Sequence, residues 1–234
     1  MKKINFNKYY KIFNILSSIL ILISILLLFF KGLNLGIDFK GGTLIELRAK
    51  NSNISEIRTS INKLNLGDLS VKEFGSSTDF LIKFEKKISK SYNIENIKID
   101  LKKVINSEIS FRRIENVGPK VSSELLESSL IAILISLAAM LIYVWLRFEW
   151  QFSFGAIIAL FHDVILTLGI FSLFSVEVNL SIVAAVLTIV GYSMNDTVVI
   201  FDRVRENLRK YSDIKIFELT NISINETLSR TIIT

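Results

Sequence analysis

The sequence predicts an α-helical membrane protein of several spans with an α+β domain inserted after the first. Three observations carry this. Half of the 234 residues are hydrophobic and mean hydropathy is +0.47. Four apolar runs approach the roughly 20 residues that cross a bilayer as a helix. Between the first and second runs lies a long polar stretch in which alternating and helical apolar periodicities follow one another. Cysteine is absent, which excludes a disulfide framework and thiolate metal sites. The formal charge of +6 is basic, but Lys and Arg gather beside the apolar runs, so topology accounts for it and nucleic acid is not an expected partner.

A short basic segment, residues 1–11, carries Lys2, Lys3, Lys8 and Lys11 and is expected in the cytoplasm by the positive-inside rule. The first span follows at 12–31. It is longer than the ~7–15 apolar residues of a signal peptide and ends Leu28-Phe29-Phe30-Lys31 without a small-residue cleavage pattern, so it reads as an uncleaved anchor.

Residues 32–124 read as a water-soluble domain on the outer face. Thr43 to Ala49 alternates like a strand, and Ile54, Ile57, Ile61 and Leu64 fall at helical spacing. Strand patterns recur at Leu69 to Phe74 and Phe80 to Phe84. Ile94, Ile97, Leu101, Val104 and Ile105 share a helical face, and Glu108 to Ile114 alternates again. The order β-α-β-β-α-β predicts a ferredoxin-like layer of two helices on a four-stranded antiparallel sheet. Its charges read as a solvated face, and no catalytic cluster stands out, so an enzyme is not expected. Gly36 to Gly42 reads as a turn leading into the first strand, with a hinge between domain and membrane as the alternative.

Three more spans are expected at 125–146, 152–174 and 178–201. Arg147 lies in the turn after the second span, where Trp145, Phe148 and Trp150 suggest an interfacial belt. Arg203, Arg205, Arg209 and Lys210 follow the fourth, which places all spans in one consistent orientation. Residues 202–226 read as a cytoplasmic segment with an amphipathic stretch lying on the membrane surface, and 227–234 as the start of a fifth span.

Ionisable residues inside these spans are costly and therefore functional candidates. Asn195 and Asp196 sit near the end of the fourth span, Asp196 about 9 Å short of Asp202 by helix rise. Arg230 reaches a comparable depth from the same side, and the two are expected to face each other as a proton relay. The other reading is that Asn195 and Asp196 only hydrogen-bond helices together. His162 and Asp163 lie about 17 Å from either end of the third span. For His162 a structural role is expected, while the charge of Asp163 keeps a proton-carrying role open. One His and no Cys leave too few ligands for a metal, and no cofactor is expected.

Five motifs in order resemble the SecF family of bacterial protein-export subunits, related to the RND transporter superfamily. They are Gly36-Ile37-Asp38-Phe39-Lys40-Gly41-Gly42; Val117-Gly118-Pro119-Lys120-Val121; Phe161-His162-Asp163-Val164; the stretch Gly191 to Asn207; and Thr227-Leu228-Ser229-Arg230-Thr231. The resemblance implies an RND-type bundle of six spans in the bacterial inner membrane, a periplasmic domain between the first two, and a partnership with SecD. It further implies association with the SecYEG channel and the SecA ATPase, and use of the proton-motive force to draw preproteins out of the channel. Asp196 matches the family's membrane carboxylate and Arg230 its membrane arginine; Thr234, one turn on, is expected to line the same path. Because the chain stops at Thr234, the fifth span is expected to be cut short and the sixth to be missing. A lipid or drug transporter half, and a scaffold subunit without transport, are the rival readings.

Overall fold

The computed structural model describes residues 4–50, 52–64, 67, 69–84, 94–105, 108–148, 150–211 and 213–233. Seven longer helices and one four-stranded sheet order the chain as α1 (Tyr10–Phe30), β1 (Gly42–Ala49), α2 (Ile54–Asn62), β2 (Leu69–Phe74), β3 (Ser76–Phe84), α3 (Ile94–Val104), β4 (Ile109–Val117), α4 (Pro119–Arg147), α5 (Trp150–Leu173), α6 (Leu180–Lys210) and α7 (Ile216–Ile233). They fall into two compact units, residues 35–129 and residues 1–34 with 130–234.

The first unit is an α+β sandwich. Its sheet order is β2-β3-β1-β4 with every pairing antiparallel, so the two strands that flank a helix in sequence are not neighbours. That is the ferredoxin-like arrangement the periodicities predict. One sheet face supplies Ile45, Leu47 and Ala49 from β1 and Phe80, Ile82 and Phe84 from β3, with Ile45 opposite Ile82 and Leu47 opposite Phe80. Ile57 and Ile61 of α2 and Ile97 and Leu101 of α3 close over them, all essentially without solvent exposure. Asn53 caps α2: its side chain accepts from the Glu56 N–H while the Glu56 carboxylate accepts from the Asn53 N–H.

The opposite face of β1 and β3 carries charge. Arg48 and Asp79 stand directly across from each other and form a two-pronged pair at 2.6 and 2.9 Å. The register of β1 on β4 slips between Glu46 and Leu47, so Arg112 is the extra residue of a bulge, and its guanidinium lies 3.3 Å from Asp79 and 3.8 Å from Glu46. Arg48, with Ser76 and Arg112 adding to it, holds the Asp79 carboxyl down to about 2.

In the second unit, α1, α4, α5 and α6 are each long and apolar enough to cross a membrane. Their large side chains point outward in numbers that water would not tolerate: Phe29 is 81% exposed, Leu146 79% and Trp150 72%. In a bilayer the same surface is matched to its solvent. Phe148 differs from its expected place in an aromatic belt. It is buried, packed on Phe201 edge-to-face at 6.2 Å and on Phe152 at 6.4 Å, while Trp145 and Trp150 stay exposed.

Two boundaries also differ from expectation. α6 runs nine residues past Phe201, through the charged stretch to Lys210, because Arg147, Glu206 and Glu226 supply partners for its Asp202 and Arg203. α7 starts at Ile216, so the segment read as a surface stretch and the residues read as a span's start are one helix. Asn221 and Asn225 on α7 accept from the backbone N–H groups of Phe6 and Ile4, and Tyr10 rests against Phe217 at 5.4 Å.

Candidate functional site in the helix bundle

α1 lies on α5 through small and polar residues. Ser24, at 6% exposure the buried residue of α1, sits where a Cβ on Gly169 would be: such an atom would lie 2.2 Å from Ser24 Oγ. Only a bare Cα lets the two backbones come this close. Seven residues back on both helices, Ser17 Oγ meets His162 Nε2 at 2.6 Å; further along, Ser172 donates to the carbonyls of Gly32 and Leu27 at 2.7 and 3.2 Å. Lys31 Nζ finishes the seam on the Leu173 carbonyl.

From His162 the hydrogen bonds run on. His162 Nδ1 and Asp163 Oδ1 are 2.7 Å apart, although neighbours on a helix point about 100° apart; the imidazole swings back to reach the carboxylate. The other oxygen, Asp163 Oδ2, accepts a short hydrogen bond from Ser193 Oγ on α6. Ser17, His162, Asp163 and Ser193 thus form one continuous chain across α1, α5 and α6 at membrane depth. Asp163 is the expected member. Ser17 and Ser193 went unnoticed, and the one available signal was spacing: Ser17 with Ser24, and His162 with Gly169, each seven residues apart and so on one helix face.

Asp196 lies one turn beyond Ser193. Its Oδ1 is sealed from solvent and accepts no hydrogen bond from any described residue; Arg205 Nε, equally sealed, donates none to one. Asn195, its neighbour, goes elsewhere. It is exposed and lines a pocket of about 410 Å³ with Met140 and Tyr143 of α4 and Met194 and Val198 of α6. The two adjacent residues therefore do not act as one polar patch.

The levels of Asp196 and Arg230 are set by the way α6 and α7 join. α6 and α7 run antiparallel and join through Asn207, which donates to Ser223 Oγ and Glu226 Oε2 at 3.0 and 2.9 Å, and through Arg203 on Glu226 at 2.7 Å. With 203 beside 226, the seven residues back to Asp196 correspond to seven forward on α7, to Ile233. Arg230 is about one turn short of that level and lies in the exposed last turn of α7. Thr234 lies outside the described residues.

The glycine motif belongs to the α+β unit. Gly36 precedes a single turn, Ile37–Lys40, after which Gly41 takes φ of 79° and Gly42, the first residue of β1, φ of 123°. A Cβ on Gly41 would also press on the Val117 carbonyl and Ser122 Oγ at 3.3 Å, so this corner needs glycine twice over. Burial pushes the Lys83 ammonium below its ordinary value and Lys72 adds to this, while Asp38, inside the turn, opposes it. Pro119 opens α4 as its first residue, where its missing N–H costs nothing. Gly118 before it has open space around its Cα. Among the described residues no three His, Cys, Asp or Glu side chains gather as a metal cage.

Comparison with known proteins gives this arrangement a family. The model described as "Protein export membrane protein SecD/SecF, C-terminal" matches residues 97–234, and that of the "SecD/SecF GG Motif" matches residues 26–52. The protein translocase subunit SecF of Rickettsia rickettsii is 46% identical across 98% of this chain and 76% of its own length. The chain belongs to the SecF family. The corresponding subunit of Calditerrivibrio nitroreducens is 47% identical over 96% of the chain. Among solved structures, the crystal structure of SecDF, a translocon-associated membrane protein from Thermus thermophilus, superposes with a TM-score of 0.86 at 33% identity. It covers 98% of this chain, which spans 32% of that longer SecDF polypeptide. The GG match takes in Gly41 and Gly42; the C-terminal match takes in Asp163, Asp196 and Arg230.

Proposed function

We propose that this SecF-family chain is a protein translocase subunit that works with SecD and uses the proton-motive force to assist late stages of preprotein export through the SecYEG channel, after SecA has acted. The observation that carries it is the buried, unpartnered Oδ1 of Asp196, one turn from the Asp163–Ser193 hydrogen bond. A carboxylate oxygen with unused capacity at membrane depth is expensive unless something visits it. A proton and Arg230 are the two visitors of the right chemistry; Asn195 stands next to Asp196 on α6, and Thr234, outside the described residues, follows Arg230 in sequence. Each proton releases about 2.3 kcal/mol per 100 mV, so useful work needs a two-state element to convert it. The bundle serves as that element, and movement of the α+β domain is its output on the emerging chain.

The reading places the chain in the bacterial inner membrane with its N-terminus in the cytoplasm. Lys8 before α1 and Lys11 in its first turn, Arg147 at the end of α4, and Arg203, Arg205, Arg209 and Lys210 at the end of α6 all fall at one end of the bundle. The α+β domain then faces the periplasm. The role is transport, not catalysis.

The test is Asp196→Asn in the complex with SecD, in vesicles carrying SecYEG and SecA. The variant should assemble normally and lose the part of export that a protonophore abolishes in the native complex. Export that keeps its full protonophore-sensitive component in the variant would overturn the proposal.

A further inference from the structure

The four-residue chain centred on His162 has a property that a purely structural hydrogen bond does not need. The Asp163 carboxylate only accepts, which puts a hydrogen on His162 Nδ1; Nε2 then accepts from the Ser17 hydroxyl. If a proton binds at Nε2, the ring becomes a donor on both sides. The Ser17 oxygen, which carries lone pairs as well as a hydrogen, turns from donor to acceptor without moving. Both protonation states of the imidazole are therefore satisfied by one set of heavy-atom positions, with contacts of 2.6 and 2.7 Å. On the far side, Asp163 is held by Ser193, whose place on α6 is three residues before Asp196, so the two side chains are neighbours on one face.

We propose that His162 is a second proton-binding group of the bundle, and that Ser17, His162, Asp163 and Ser193 form a branch connecting α1 to the α6 turn that bears Asp196. A proton taken up at Nε2 leaves the ring an imidazolium that donates to Ser17 Oγ and to Asp163 Oδ1, and its charge strengthens the pairing with the Asp163 carboxylate. Ser193, bonded to the second carboxylate oxygen, then carries the change to the turn of Asp196. Imidazole suits this task because its ordinary titration falls between about pH 5 and 8.

Competing groups are few. α5 has no titratable residue besides His162 and Asp163; α1 has Tyr10 and Lys11, both in its first turn; α6 offers Tyr192 and Asp196 before its charged end at Asp202. The inference rests on the proton-coupled reading above, and its test is independent of export.

His162 is the single histidine of the chain. Growing the 234-residue chain with 15N-histidine and placing it in lipid nanodiscs gives two ring-nitrogen signals that report one residue. A neutral ring shows two widely separated signals, and an imidazolium brings them together. The expected result is a single change in the ring's protonation state as the pH is lowered, with the hydrogen on Nδ1 in the neutral state. Asp163→Asn should move its midpoint by about one pH unit, a tenfold change in proton affinity. Asp196→Asn should move it by at least twofold in affinity, and Ser193→Ala should erase that coupling. A ring that keeps one protonation state from pH 5 to 9, or a midpoint indifferent to Asp196→Asn, overturns the inference. The native spectrum needs no variant, so misfolding of one does not remove the test. In the export assay His162→Gln, which preserves a donor and an acceptor, should flatten the pH profile between 6 and 8. A native profile in that variant, alongside loss of protonophore-sensitive export in Asp196→Asn, refutes the branch and leaves the proposed function standing; the titration without any effect of Asp196→Asn on export does the reverse.

Discussion

One methyl group on Gly169 should part α1 from α5. The added Cβ would lie 2.2 Å from Ser24 Oγ, 2.3 Å from Ser24 Cβ and 2.9 Å from Ser24 Cα. Ordinary carbon contacts sit at about 3.5–4.0 Å, so the helices must separate locally by roughly 1.3 Å. The Ser17–His162 and Ser172–Gly32 contacts, now 2.6 and 2.7 Å, lie on the same seam and would open beyond hydrogen-bond range. Overpacking costs about 1–3 kcal/mol and each lost interhelical bond about 0.6, offset by about 1 kcal/mol of helix propensity that Ala gains over Gly. The net expectation is a loss of about 1–3 kcal/mol, read as the unfolding midpoint in mixed detergent micelles. Gly155→Ala is the control, since a Cβ there meets Phe201 Cζ at 3.4 Å, an ordinary contact, and should be neutral or mildly stabilising. Ser24→Gly in the Gly169→Ala background should restore part of the loss, because it removes the two nearest atoms and leaves the Cα. Equal midpoints for the two alanine variants, or no recovery from Ser24→Gly, would refute the argument.

Two further outcomes are expected. Asp79 has its folded pKa depressed to about 2, against about 3.9 in an unfolded chain, so its stabilisation is complete above about pH 4 and is lost as pH falls towards 2. Pepsin digestion of the α+β domain should therefore accelerate across that window, and Asp79→Asn should digest faster at pH 4 with a flatter profile. Asn207 is 1% exposed and donates to both Ser223 and Glu226, so Asn207→Ala removes two buried hydrogen bonds, though Glu226 keeps Arg203, and should weaken the α6–α7 junction by about 1–3 kcal/mol, seen as new proteolytic cleavage between Tyr211 and Ile216 with the rest of the bundle intact.

The α+β fold was legible because its signals are local. Residues such as Ile57 and Ile61, or Phe80, Ile82 and Phe84, are buried on one face, and burial on one face writes the period of the element directly into the sequence. The β-bulge at Arg112 was not legible, since an extra residue looks like any other until its partner strand is in place. The spans announced themselves by hydropathy alone, and Asp163, Asp196 and Arg230 by their cost. Their partners did not. Adjacent His162 and Asp163 meet through rotamers that helix geometry does not fix, and the level of Arg230 against Asp196 depends on the register set by Asn207 and Glu226.

Serine is the residue that sequence reasoning passed over most often in this bundle, and the reason is physical. A hydroxyl in an apolar helix can satisfy itself on the carbonyl one turn back, as Thr167 and Thr188 do here, and then it says nothing about neighbours. Ser17, Ser172 and Ser193 instead spend their hydroxyls between helices, which is worthwhile only where backbones come close enough for a short side chain to reach across. Gly169 against Ser24 creates that closeness, so a glycine with no polar atom decides where the polar chain can run. The chain stops at Ser193, one turn short of Asp196. In α1, α5 and α6, then, small residues pair off the polar groups that hold helices together, while a sealed oxygen of Asp196 accepts no hydrogen bond from a described residue, and it is this difference in pairing, more than the presence of charge, that supports the role proposed for Asp196.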